Sequence, residues 1–428
     1  MELAWSPGTY GAPSLAIEPI SHWAMSPDDR HVIVAGVGAD AGRVRCIEVA
    51  TAREVATVVD DAPVTALTWR RDAWIVRTGA TATVTVHALP DPAAVARAEL
   101  PGLRALRHHL AHAGDVAWIA RAELDRADRR EPDPRLGWLV DPITAAPRRA
   151  IARRELDDEA VAIAGRHQAT ALRADGGGLA AAFGPAQRAT ATGVSYALGA
   201  VATLDLRTGH RTRSPRALDL AAHELQFAGA TLVVRTARDD TGGHAARLGR
   251  VLVLDPDRDA WIYDSDQRAR DPVATEEYEA AGAHADVHPR GDRIAVVGHA
   301  LYLPRERSLC SHVHARGYVI ATPGGACLRT LEIETNPFDA VGAVWCDDGD
   351  DLDVLVDRSG HWGIARYRGD GCQPLHRFEQ DGVLLGARLW RTPGRRYAAI
   401  TGRVWPQRHL RLMLVRAAAA APITPPTA

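Results

Sequence analysis

Lysine is absent from this 428-residue chain, and all 51 residues counted as Lys or Arg are arginine. Asparagine occurs once, at Asn336. A GC-rich genome drains Lys, Asn, Ile and Phe codons together and accounts for both scarcities. Selection against lysine modification accounts only for the first, since a chain without a lysine amine offers no side-chain target for acetylation or ubiquitin-like conjugation. Cysteine is sparse as well. Cys46, Cys310, Cys327, Cys346 and Cys372 form no C-x-x-C pair and are odd in number, and they read as buried or free thiols in a reducing cytosol. No apolar run approaches the roughly 18 residues that span a bilayer. The segment Met1-Glu2-Leu3-Ala4-Trp5-Ser6-Pro7 has neither a basic n-region nor an apolar h-region, which argues against a signal peptide and for the cytoplasm. A net charge of −2 gives no global pull toward nucleic acid or an anionic membrane.

What the chain does have is a repeat. An apolar residue stands before a short polar turn at Met25, Trp69, Leu110, Leu172, Phe227, Val287, Trp345 and Trp390, and a run of small and β-branched residues follows each time. The spacing is as short as 41 residues (Trp69 to Leu110) and as long as 62 (Leu110 to Leu172). A motif at a period near 50 marks a propeller or an array. Each unit reads as four strands a to d, divided by Pro-, Asp-, Gly- and Thr-rich turns. In the first unit they are 21–25, 32–36, 44–49 and 54–58. Strand b is almost entirely apolar throughout, as suits a strand buried on both faces. The last unit lacks its fourth strand, and Ser14-Leu15-Ala16-Ile17 is the natural donor to complete it. The expectation is an all-β propeller of four-stranded blades over residues 1–416, closed by an N-terminal strand, with a disordered Ala/Pro-rich tail at 417–428. Eight blades are expected, and seven if one unit is irregular.

Three segments carry a resemblance to a known family: the turn Ser26-Pro27-Asp28-Asp29, the turn His288-Pro289-Arg290-Gly291-Asp292, and Leu204-Asp205-Leu206-Arg207-Thr208-Gly209 at the end of a strand c. These resemble the WD40-like repeat family over roughly residues 14–416, with no unit ending strand c in Trp-Asp. The calcium-dependent propeller lactonases are similar in fold but use paired Asn ligands, and Asn336 stands alone.

Functional residues are expected where the repeat lengthens, because binding groups concentrate on loops held by a rigid scaffold. The b–c connections are long at 121–135, 184–199, 237–250 and 299–317, and the link 264–283 is long too. In a propeller these all emerge on one face, and insertions confined to one face mark a binding surface. On it the expected partner-binding residues are Arg126, Arg129, Arg130, Tyr196, Arg305, Arg307, His312 and His314. Their arginines suit bidentate contact with an acidic protein segment.

Catalytic and metal signatures are weak. Cys310, His312 and His314 alternate at period two with His299 across the loop, but the spacing is no zinc signature. His108, His109 and His112 alternate sides on a strand a and read as structural or solvent-facing. The run Asp347, Asp348, Asp350, Asp351, Asp353 lacks EF-hand order and reads as an a–b turn. Gly193-Val194-Ser195-Tyr196-Ala197 fails the nucleophile-elbow pattern and is expected in a loop. Gly176-Gly177-Gly178 reads as a turn. Trp69, Phe227, Trp345 and Trp390 are expected as wedges between blades, since the same register elsewhere holds Met25, Leu110, Leu172 and Val287. No cofactor or metal is expected. The resulting reading is a non-catalytic, cytoplasmic scaffold or sensor in a bacterial multi-protein system, binding protein through blades three to six. The rival is a hydrolase, a lyase or a small-molecule sensor with its site at the central channel mouth.

Overall fold

A computed structural model describes residues 15–416 except 80, 104–107, 122–134, 157–166, 184–185, 191–192, 198–199, 214–221, 237–249, 266–276, 304–312, 334–341, 347–350, 359–360, 368–373, 382–383, 395 and 405–409. The strands form eight antiparallel four-stranded sheets. Seven are built from consecutive segments. The eighth takes Leu384–Arg391, Tyr397–Val404 and Leu410–Arg416 from the end of the chain and completes them with Leu15–Ile20. Leu15 pairs with Leu414 and Ile17 with Leu412, so the expected N-terminal donor is in place. This is an eight-bladed β-propeller.

The apolar core is divided into eight seams, one between each pair of neighbouring blades. One cluster joins Val297 and Leu331 of blade 6 to Trp345 and Val354 of blade 7. Another joins Leu15, Ile17 and Ile20 to Met25 and Val32 of blade 1. Strand b supplies both faces of its sheet, and Gly178–Phe183 is buried along its whole length. Side chains alternate across a strand, so a strand buried on both faces must be apolar at every position. Close approach is enforced locally. Gly137 lies against Trp118, where a Cβ would come within 2.6 Å of the indole. That indole donates to Thr170 Oγ1 of the next blade at 3.0 Å.

Trp69, Phe227 and Trp345 pack into seams as wedges. Trp390 does not, and it is 37% exposed. The turns explain the difference. Ser26 N–H donates to His31 O, His288 to Arg293 O, Cys346 to Asp351 O and Thr392 to Tyr397 O, at 2.9, 2.9, 2.9 and 3.2 Å. This five-residue bridge aligns Met25, Val287 and Trp345 with Arg391, not with Trp390. A one-residue slip turns a strand side chain to the opposite face. Arg391 therefore faces the seam, and Trp390 faces away from it.

Two segments expected as loops are strands. Between strands b and c of blade 4, Ala186–Thr190 pairs with Gly193–Ala197, so Ser195 and Tyr196 lie on a hairpin. In blade 6 the ladder runs on through Arg293–Leu303 and Val313–Ala321, pairing His299 with Ala315 and Leu301 with Val313. Strand a of that blade starts at Glu277, inside the expected link. The alternation in Val313-His314-Ala315-Arg316-Gly317-Tyr318 is itself a strand signal.

The ring is closed a second time at its a–b turns. Asp29, 1% exposed, accepts from the Thr392 hydroxyl and the Arg396 N–H through Oδ2, and from the Gly394 N–H through Oδ1. Glu18 adds a two-pronged pair with Arg411 on the outer strand.

Candidate functional site

A pocket of about 280 Å³ lies on the propeller axis, walled by the innermost strands of blades 5 to 8. Period-two alternation builds it. Leu225, Ala285 and Leu389 point into seams and are buried. Their neighbours Glu224 and Gln226, His284 and Asp286, and Arg388 and Trp390 line the cavity. Blade 7 contributes only Ala343 and Val344. The wall is thus polar on three blades and small and apolar on the fourth.

A chain of polar contacts crosses from blade 5 to blade 6. Glu224 Oε2 accepts from Arg235 Nη1 at 2.5 Å, and Arg235 Nη2 lies 2.8 Å from His284 Nδ1. A guanidinium only donates, so that contact requires an unprotonated Nδ1. Burial lowers the Arg235 pKa, and the charge of Glu224 offsets part of that. Arg388 of blade 8 stands 4.0 Å from the same Glu224 oxygen, and its side chain is 44% exposed.

Asp286 has a different environment. Its Oδ2 accepts the Trp345 N–H at 2.9 Å, and its backbone carbonyl accepts the Trp345 indole at 3.1 Å. Burial pushes its carboxyl up to about 6, and the charge of Glu224 adds to the effect. Behind the wall, Asp353 is solvent-free and accepts two bonds from Arg366 at 2.8 and 2.9 Å, with Arg391 at 3.5 Å. Asp353 therefore belongs to a buried strand-b ion cluster, not to the acidic turn in which its sequence places it.

The other expected residues fall elsewhere. Arg126, Arg129, Arg130, Arg305, Arg307 and His312 lie outside the described residues, as do Cys310 and the tail 417–428. Tyr196 sits on the blade 4 hairpin opposite Gln187, and His314 on strand c of blade 6 opposite Ala300. His108 is a core histidine, with Nδ1 2.7 Å from Thr65 Oγ1 and Nε2 2.7 Å from Leu103 O. His112 stands edge-on to Trp74 at 4.6 Å, and burial lowers its pKa to about 4. Cys46 and Cys346 are buried, with burial raising the Cys46 thiol to about 11 and Cys346 still further. Among the described residues no group of three or more His, Cys, Asp or Glu side chains is placed to hold a metal ion. No described helix is long and apolar enough to cross a membrane.

Eight four-stranded blades with a charged axial pocket define the chain as a β-propeller. Its similarity to solved structures is one of fold. It resembles the Dos1 propeller at 11% identity and a TM-score of 0.55, covering 95% of this chain and 94% of that one. BamB from Moraxella catarrhalis matches at 12% identity and 0.52, covering 95% and 99%. The computationally designed Ika8 protein matches at 12% and 0.53, covering 95% and 100%. No protein-family model matches the chain, and no curated protein matches it by sequence.

Proposed function

We propose that this protein is a non-catalytic interaction scaffold of WD40-like type, acting in a bacterial, cytoplasmic multi-protein system. The observation that carries the reading is that two strand-built projections leave the same face. The blade 4 hairpin lies between the end of strand b and the start of strand c. The blade 6 extension lies at those same ends of its strands b and c and at the start of its strand a. Strand order sends both to the face that carries every b–c connection, on either side of blade 5. Paired strands hold a protein-binding surface more rigidly than open loops, which lowers the ordering cost of association.

In this reading Tyr196 and His314 stand on the two projections. Arg126, Arg129, Arg130, Arg305, Arg307 and His312 supply donors for an acidic segment of the partner. The test is co-purification from host extract, followed by reconstitution with the recovered partner. Three chains are compared: the intact protein, one with 186–197 replaced by a short turn, and one with blade 6 cut back to Gly298 and Gly317. Loss of a stoichiometric partner on either truncation supports the scaffold. Equal retention by all three chains sinks it.

A further inference from the structure

The axial pocket has a chemistry more specific than that of a bare channel. Its lining carries three arginines (Arg235, Arg388, Arg391) against two carboxylates (Glu224, Asp286). The three cations are not equally committed. Arg235 is held by Glu224 at 2.5 Å, and Arg391 is shared with Asp353 behind the wall. Arg388 has only the 4.0 Å approach to Glu224 as an ion pair among the described residues, and that carboxylate is already occupied by Arg235. A guanidinium has five donors in a planar fork, so Arg388 has capacity left for a second anion.

Two residues along the same strand, Trp390 lines the same cavity. The register slip described above keeps its ring out of the seam and leaves the residue 37% exposed. A single exposed aromatic is ordinary on a protein surface, and what matters here is that this one lines the same cavity as Arg388. The volume of about 280 Å³ is of the size that takes one small molecule.

We infer that the axial pocket binds a small planar carboxylic acid, its carboxylate on Arg388 and its flat apolar body against Trp390. Gln226, hydrogen-bonded to the Asp286 carboxyl, lines the same cavity. The site would make the propeller a sensor whose ligand sits on the axis. It does not depend on the scaffold reading.

The probe is benzoate, with benzyl alcohol as its uncharged counterpart and inorganic phosphate as a charged one without an apolar body. Eleven tryptophans make fluorescence unselective, so binding is followed by titration calorimetry on the full chain. Benzoate is expected to bind saturably with a dissociation constant of about 1 mM or below, and benzyl alcohol and phosphate at least about tenfold more weakly. Arg388→Gln should weaken benzoate about tenfold, the worth of one charge-assisted bond, and Trp390→Leu should weaken it by a similar factor. Arg258→Gln, an exposed arginine on the outer side of blade 5, should leave binding unchanged. Arg388 and Trp390 are both substantially exposed, so their variants retain the fold, and thermal unfolding checks this. Undiminished benzoate binding by Arg388→Gln overturns the proposal. So does absence of saturable binding to the intact chain, or phosphate binding as tightly as benzoate.

Discussion

Replacing Asp29 by alanine should open the propeller at the joint between its first and last blades. The side chain is nearly solvent-free and accepts three hydrogen bonds from one turn of blade 8. A bond to a charged acceptor is worth about 1.5–3 kcal/mol, and a buried donor left unmet costs more than a neutral bond returns. Water can replace the carboxylate at Gly394 and Arg396, which lie toward the surface. It cannot do so at the buried Thr392, whose hydroxyl falls back on Tyr397 O at 3.1 Å. Asp29 also adopts a left-handed backbone (φ 57), which costs alanine about 1 kcal/mol and asparagine less. The total for Asp29→Ala is about 4 kcal/mol, and for Asp29→Asn about 2 kcal/mol because one acceptor oxygen and the backbone preference survive. The assay is the urea unfolding midpoint together with amide hydrogen exchange. Protection should fall first in Leu384–Arg391, Tyr397–Val404 and His22–Met25. A loss below about 1 kcal/mol for Asp29→Ala, or equal losses for the two variants, would refute the argument. Exchange that rises evenly around the ring would refute the location.

Two further outcomes follow from buried carboxylates. Asp353→Ala strands Arg366 and Arg391 in the seam between blades 7 and 8 and should cost about 3–5 kcal/mol in the urea midpoint. A cost under about 1 kcal/mol would mean that the cluster behaves as a surface pair. Asp286 has a folded pKa raised from 3.8 to about 6. Its contribution to stability is therefore fully present below the unfolded value and is lost as pH rises through about 6. Asp286→Asn should remove that component, so the stability difference between variant and parent should change between about pH 4 and 6 and level off above. Parallel stability–pH profiles would contradict the assignment.

The features legible in the sequence are those set by local pattern. The apolar runs of strand b mark all eight blades, because burial on both faces leaves no polar position to blur them. The missing last strand and its donor were readable for the same reason, and Leu15–Ile20 includes most of the segment expected. Aromatic size suggests a wedge at Trp390, but the Thr392 N–H to Tyr397 O bridge sets the register one residue later. The blade 4 hairpin is hard to see because Ala186-Gln187-Arg188-Ala189-Thr190 lacks a period-two pattern, and the blade 6 extension because its His and Arg content outweighs an alternation that does signal a strand. The axial pocket had no motif to find. Glu224, His284 and Arg388 belong to three blades, and each stands in the polar-apolar-polar pattern of any half-buried strand. Asp29 looks in the sequence like one residue of a turn, whereas its partners lie 363 to 367 positions away.

The closure through Leu15–Ile20 also dictates when the ring can close during synthesis. Its partner strand Leu410–Arg416 is among the last of the described chain to leave the ribosome, and Asp29 likewise waits for Thr392. Blades 1 to 7 can each form from contiguous sequence as they emerge, whereas Leu15–Ile20 must stay unpaired until Leu410–Arg416 has been made. That strand carries Leu15, Ile17 and Ile20, which end up in the seam between blades 8 and 1. Until then it is an exposed apolar β-segment, the kind that chaperones hold and aggregates recruit. Glu18 and its Pro19 neighbour, both on that strand, are residue types that discourage premature edge pairing.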